Sequence, residues 1–421
     1  ALFTDLLVPL GTGNDSQVRY TLNSLAIYAG KFDSDDASRI MVERSLLSAL
    51  AISTDTEIAS FLIERLRFCA TNASIQPLSE YLGKKELFEV AIGTLTALEN
   101  NSGAEVLHKA AEQLNANNLP ALIEALTTLG YTGSKTLMNK LVKHDDPVIR
   151  KRALANLAVL GQLDSRSIFE DAVKSVDYKS DPTDAVASYL NYAKQLSEKG
   201  QTKSGTAMAK TLLKYCTTQD QLHHRAAAIA ILRTNEKQAV GNVLLKEYKN
   251  ADADYRGAVI AAAANGLSTA EVNKWVKAYK KTADEAKPLL IGLLQDRQEV
   301  SVFTKVLEQA LADDSEAVKV AGIKAMVYQN KDKALPVLQS MLSQKLTPEV
   351  KNALEGSLLR LCNAADADQL TSQLALASIE GKSVIINILA ARKVKQKLAM
   401  IDPFLTDQNP SLRNAAYKAL P

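Results

Sequence analysis

What this sequence has little of narrows it first. Only 5% of its 421 residues are aromatic, with a single Trp, and it holds three Cys and four His. So few large rings suit thin layers in which helix packs on helix. Cys69, Cys216 and Cys362 lie far apart, each in apolar helical surroundings. That spacing writes neither a disulfide framework nor a metal site, and the three read as buried, inert thiols. Charge of one sign is also missing: 50 Lys and Arg stand against 47 Asp and Glu, a formal net charge of +3. No field therefore points to nucleic acid or an anionic membrane. No apolar run is long enough to span a bilayer. Ala1-Leu2-Phe3-Thr4-Asp5 shows no basic stretch leading into an apolar one, as a signal peptide would, although a trimmed chain would look the same. No segment alternates at period two over strand length, and no Gly/Ser-rich or Pro-rich linker divides the chain. The patterns H-E-x-x-H, C-x-x-C, G-x-S-x-G, the P-loop and G-x-G-x-x-G do not occur, and Gly11-Thr12-Gly13 reads as a turn between helices.

What is present is a repeated helix. Hydrophobic residues make up 47% of the chain, with Ala and Leu dominant. The stretch Asp145–Gly161 carries its own start and stop signals. Asp145 or Asp146 can cap free amides, Pro147 fits the first turn, and Gly161 can take the left-handed conformation that ends a helix. Between them Val148, Leu154, Leu157, Ala158 and Leu160 recur at helical spacing as an apolar stripe. One such helix cannot bury its stripe alone, and copies follow. A capping residue stands four positions before Arg or Lys at Asp15/Arg19, Asp146/Arg150, Gln221/Arg225, Asp252/Arg256, Ser315/Lys319, Thr347/Lys351 and Asn409/Arg413. The starts are separated by about thirty to forty residues or multiples of that interval, the period of helical-hairpin repeats. Small residues follow the basic one, such as Gly257 and Gly322, and would let neighbouring second helices approach. The basic residue can reach the acid of its own cap or of the next repeat. The expectation is a structural ladder of ion pairs through Asp146, Arg150, Arg225, Arg256, Lys319 and Arg413, each pair worth roughly 0–1 kcal/mol and fixing register.

The fold this predicts is all-α, a right-handed α-α superhelix of roughly thirteen helical hairpins. The chain reads as a single array over residues 1–421, since a single core stops growing at smaller size. The first hairpin joins 2–10 to 17–30; the fourth is opened by Asn118 as a cap and Pro120; the last joins 395–405 to 411–420. The spacing widens only near 177–182, the one candidate seam. Ala415, Ala416 and Leu420 look like a face awaiting a neighbour, as in a piece of a longer multidomain protein.

The signal of a cap leading to [V/I/L]-[R/K] at Asp15–Arg19, Asp146–Arg150 and Asn409–Arg413 resembles that of HEAT-like repeats over nearly the whole chain. Such arrays serve many unrelated partners. A narrower resemblance lies in Tyr178–Leu190 and Gln221–Ala228. These runs are similar to the repeat region of Bacteroidetes-type exported proteins that carry a C-terminal concanavalin-like domain of the 3-keto-disaccharide hydrolase family. The resemblance implies a periplasmic or extracellular location and a link to sugar breakdown. The β-sandwich domain is not in this chain, so none of its chemistry is assigned here.

Few residues invite chemistry of their own. His223 and His224 point about 100° apart on a helix and do not readily share a metal without a third ligand; packing of one ring and solvation of the other is the plainer reading. The doublets Asp35-Asp36, Asp145-Asp146 and Asp313-Asp314 could act as paired carboxylates, yet each stands before a helix, where capping accounts for it. Trp275 and Tyr279 read as a packing pair. Tyr178, Tyr189 and Tyr192 gather near the longest loop and are the candidate binding residues for a saccharide or peptide; alternatively Tyr178 covers a helix end. No catalytic, metal or cofactor site is expected and no enzyme activity in this chain, whereas a longer parent protein is left open as a sugar hydrolase. The expected role is a scaffold that holds a protein or positions an adjacent domain of the same chain. A carbohydrate-binding contribution through the Tyr178–Tyr192 region is the alternative. No nucleic-acid partner is expected, because acidic caps match the basic positions.

Overall fold

Local signals set the helix ends. The computed structural model describes residues 10–11, 13, 15–113, 117–250, 252–264, 266–297, 301–393 and 399–420. Asp146 Oδ1 accepts from Val148 N at 2.8 Å, and Gly161 closes that helix at φ 54°, in the left-handed region. Asp55 accepts from Glu57 N and Ile58 N at 2.8 and 3.0 Å, and Asn409 from Ser411 N at 2.8 Å. Each satisfies an amide that the helix leaves open. Asn118 and Ser315 stand in cap positions without such a bond.

The described residues form 24 α-helices and no strand. They fall into two compact units, Ala1–Ile231 and Leu232–Pro421. The first contains α1 (Ser16–Ala29), α2 (Ala37–Ile52), α3 (Thr56–Cys69), α4 (Ile75–Ser79), α5 (Phe88–Ala97), α6 (Asn101–Gln113), α7 (Leu119–Thr128), α8 (Lys135–Leu141), α9 (Pro147–Leu160), α10 (Arg166–Ser175), α11 (Ala185–Glu198) and α12 (Thr202–Tyr215). The helix α13 (Leu222–Glu236) runs across the division. The second contains α14 (Gly241–Glu247), α15 (Ala253–Ala264), α16 (Thr269–Ala278), α17 (Lys287–Leu294), α18 (Ser301–Leu311), α19 (Glu316–Met326), α20 (Lys331–Ser340), α21 (Pro348–Leu361), α22 (Ala367–Ser372), α23 (Ile379–Ala391) and α24 (Pro410–Ala419). The segment 177–182 lies inside the first unit.

In each unit consecutive helices pair as hairpins, from α2 with α3 to α10 with α11 and from α14 with α15 to α22 with α23. Second helices then pack side by side: α1, α3, α5, α7, α9 and α11 in the first unit, and α15, α17, α19, α21 and α23 in the second. Buried Leu, Ile and Val fill the space between layers, including Leu22, Ile63, Leu95, Ile123, Leu157, Val259, Leu290, Ile323, Leu354 and Ile385. Polar groups buried there reach from one second helix to the next. Thr94 Oγ1 donates to Ile63 O at 3.1 Å, Asn156 Nδ2 to Thr127 Oγ1 at 3.0 Å, and Ser357 Oγ to Ile323 O at 3.2 Å. Each bond forms in one register only, so the polar atoms align helices that apolar contact alone would let slide.

Three expectations are corrected. In α9 the buried branched residue is Ile149, while Val148 is 50% exposed, so the stripe begins one residue later than expected. Ala415 and Ala416 do not await a neighbour: they pack in a cluster with Ile386, Ile401 and Leu412, leaving Leu420 exposed. Of the last hairpin's expected first helix, 395–405, the described part is a 3-10 turn, Asp402–Thr406, while 395–398 lie outside the described residues, as does nearly all of the helix expected at 2–10. Small residues also act differently from place to place. Gly322 lies against Ala310 of its own hairpin, where an added Cβ would meet Ala310 Cβ at 2.9 Å, whereas Gly257 faces open space.

Candidate functional site

The tyrosines expected to bind a ligand are packed away. Tyr189 and Tyr192 are fully buried on α11, and Tyr178 is buried in the turn before it. Tyr192 stacks on Phe169 with ring centres 4.2 Å apart, and its hydroxyl donates to Gln162 O at 2.6 Å. Tyr189 donates to Met208 O at 3.3 Å. Tyr178 stacks on Tyr215 at 4.8 Å, and its amide donates to Val173 O at 2.9 Å, closing the end of α10. Burial pushes all three phenols above their ordinary pKa. No face of Tyr189 or Tyr192 is open to a sugar, because the wide turn folds onto its own hairpin. Gln221, buried at the start of the next helix, holds that turn by donating to Tyr178 O at 3.0 Å. The reading of Tyr178 as a cover for a helix end fits these contacts.

Four arginines of the expected ladder share a role, which is to bond backbone carbonyls. Arg150 Nη1 donates to His144 O at 2.6 Å and Asp145 O at 2.8 Å. Arg413 Nη1 repeats the geometry on Asp407 O at 2.6 Å and Gln408 O at 2.8 Å. Arg256 Nη1 reaches Asn250 O at 2.9 Å, and Arg225 Nη1 reaches Leu213 O and Cys216 O at 2.6 and 2.7 Å. Each guanidinium folds back from the first turn of a second helix onto carbonyls of the connection before it, or of the helix that precedes that connection. Those carbonyls lie at or beyond a helix end, where intrahelical donors run out, and a guanidinium supplies several donors in one plane. Asp146 is meanwhile committed to its cap. The expected ion-pair arrangement occurs at Arg19, which meets Asp15 at 2.9 Å and Glu57 of α3 at 2.7 Å. Burial pushes the Asp313 carboxyl up, but the Ser315 amide, the Lys287 ammonium and, least of these, the charge of Lys319 hold it below its usual range. Further ion pairs between repeats are Arg152–Glu124 at 3.1 Å, Lys287–Asp313 at 3.0 Å and Lys331–Asp366 at 2.7 Å; of these residues the sequence had marked only Asp313, as a cap.

The remaining candidates are structural as well. Asp36 and Asp313 each accept a backbone amide near the start of a helix, from Ser38 N at 2.7 Å and Ser315 N at 2.9 Å. His224 is buried with its Nε2 3.4 Å from Ser180 Oγ, and burial lowers its pKa to about 4. Cys69, Cys216 and Cys362 are buried, and desolvation raises their thiols to about 12, 11 and 11. Trp275 and Tyr279 are both buried. Among the described residues no three His, Cys, Asp or Glu side chains gather as metal ligands, and no helix is long and apolar enough to cross a membrane.

Open surface lies on the second helices of the first unit. A groove of about 760 Å³ crosses α3, α5 and α7 and is lined by Arg67, Glu89, Gly93, Ala97, Ala121 and Glu124, among others. Its depth comes from composition. Where α5 and α7 turn outward they carry Gly93, Ala97 and Ala121, and nothing lies within 4 Å of where a Gly93 Cβ would stand. Glu89, Glu99 and Glu124 line it with Arg67, and Arg152 pairs with Glu124 from beside it, so carboxylates still outnumber cations there within a chain of slight positive charge. Periodicity marked these helices as second helices. The small residues were legible too, but their outward placement depends on helix phase.

The pairing of helices and the packing of second helices on one another invite comparison with known solenoids. No protein-family model matches the chain, and no curated protein matches it in sequence. Solved structures do match. The karyopherin Kap121p bound to the extreme C-terminus of the protein phosphatase Cdc14p aligns over 99% of this chain and 53% of its own, at 12% identity and a TM-score of 0.55. The fold is a HEAT-like repeat array. Another Kap121p structure aligns over 98% of this chain and 54% of its own at a TM-score of 0.52, and a mutant of it over 99% and 53% at 0.56, both 12% identical. The HEAT-like array thus spans about half the length of the karyopherins it matches. At this identity the likeness is one of fold.

Proposed function

We propose that this chain is a non-catalytic scaffold that holds an extended segment of a partner protein along the second helices of its first unit. The observation that carries the reading is the groove across α3, α5 and α7, with a floor of small residues and three carboxylates on its walls. Open second-helix surface of this kind accepts a chain without rearranging the core, since nothing has to leave the site first. The neighbour Kap121p, of similar fold, is bound to the extreme C-terminus of another protein, which accords with an extended segment as the occupant here. A finer part of the proposal concerns setting. The similarity of Tyr178–Leu190 and Gln221–Ala228 to exported sugar-processing proteins supports a repeat arm beside a sugar-processing domain, outside the cytoplasm.

Selection of displayed random peptides on the chain, followed by titration of the winners, tests the scaffold reading. Binders rich in Lys and Arg are expected, with affinity reduced at least tenfold by Gly93→Trp and by Glu89→Lys with Glu124→Lys. Thermal unfolding of Gly93→Trp should be no lower than wild type, since its Cβ enters open space and a glycine leaves the helix. Peptides that bind equally well to wild type and to both groove variants would remove the groove from the reading.

A further inference from the structure

A second concavity, in the other unit, has the opposite charge. It measures about 530 Å³ and lies where α14 and the residues just after it meet the connection between α16 and α17. Lys246, Lys249, Arg256 and Lys281 line it against a single carboxylate, Glu285. Arg256 is buried, at 4% exposure, and is fixed by its bond to Asn250 O, itself part of the wall. The three lysines are exposed around the opening. Of the nearby acids, Glu247 Oε2 accepts from the Tyr255 hydroxyl at 2.5 Å, and Asp252 Oδ1 caps α15 by accepting from Tyr255 N at 2.7 Å.

Lysines that serve the fold in this unit look different. Lys287, a few residues on, sits 2.6 Å from Asp284 and 3.0 Å from Asp313, and Lys331 sits 2.7 Å from Asp366. Lys246, Lys249 and Lys281 have no carboxylate partner among the described residues. Three unpaired ammonium groups around one concavity repel each other, an arrangement that a polyanion relieves. The wall is rigid, because Tyr248 is buried and its hydroxyl donates to Ala286 O across the cavity floor. We propose that this concavity binds a small polyanion carrying two or more phosphoryl groups. Arg256 lies at the base of the site and the three lysines clasp the outer groups. Phosphoryl oxygens accept several donors at once, which matches a guanidinium with ammonium groups around it.

Calorimetric titration of the full chain with tripolyphosphate tests this, using inorganic phosphate as the monovalent-scale comparison. Saturable binding at one site per chain is expected, weakened by added salt and stronger for tripolyphosphate than for phosphate. Replacing Lys246, Lys249 and Lys281 together by Gln should weaken it at least tenfold, Lys281→Gln alone should weaken it measurably, and Glu285→Gln should tighten it. Lys280→Gln, next to the site but outside its lining, should leave it unchanged. The single variants keep the test open if the triple variant loses its fold by circular dichroism. Absence of saturation, or an equal loss in Lys280→Gln and Lys281→Gln, overturns the proposal.

Discussion

Gly93 and Gly381 both sit within second helices, and their surroundings assign them opposite work. Around Gly93 there is no atom within 4 Å of an added Cβ, whereas at Gly381 that Cβ would stand 1.9 Å from Leu342 O. The close approach at Gly381 is held by Ser378, whose amide donates to the same Leu342 carbonyl at 2.9 Å. A helical Gly costs about 0.5–1 kcal/mol relative to Ala through lost chain entropy. Gly93→Ala is therefore expected to raise stability by about that amount, and Gly381→Ala to lower it by about 1–3 kcal/mol because backbone must move. Paired chemical denaturation curves measure both. A result of the same sign for the two would show that the space around them does not govern the outcome. The contrast also bears on the groove, where a glycine that nothing presses on is kept at a site the stack could have filled.

At the scale of one helix and the connection before it, the arginine after the cap is the recurring device. Arg413 uses neutral carbonyls, and Arg19 uses carboxylates of its own cap and of the next second helix. A charged donor on a buried or half-buried carbonyl is worth about 1.5–3 kcal/mol, and that bond is little affected by salt. Arg413→Ala should lose stability in that range at low and high salt alike. The smaller loss in Arg19→Ala should shrink as salt rises, since ions screen exposed pairs. Denaturation at two salt concentrations separates the two modes. This device also shows how far the sequence could be read. The spacing of cap and Arg at Asp146/Arg150 and Asn409/Arg413 located the second helices almost to the residue, because capping and periodicity are local physics. The partner of the guanidinium was not local. An Arg with an acid one turn away resembles an ion pair on paper, and only the path of the connection places His144 O and Asp145 O within reach. Tyr189 and Tyr192 failed for the same reason, since a shared helical face does not say whether that face looks outward or at Phe169. The groove needed knowledge of which side of α5 faces solvent, and its acidic wall needed α5 and α7 to be brought together.

Across the molecule, each hairpin touches the hairpins beside it in its unit and few others, which makes stability a sum of local terms. A perturbation should therefore stay near its origin. In Gly381→Ala, amide hydrogen exchange is expected to quicken in α20 to α23 while the amides of α3 to α7 keep their wild-type protection. Uniform acceleration over both units would show that the chain opens as one body. The arginine anchors give this modularity a material basis. Arg150 and Arg413 fasten onto carbonyls that lie five and six residues earlier in their own repeat, never onto another repeat. A repeat of that design carries its own clasp when copied. Duplicating such a stretch of gene, or losing one, lengthens or shortens the array by a finished part, and the only new demand falls on the two faces that must meet.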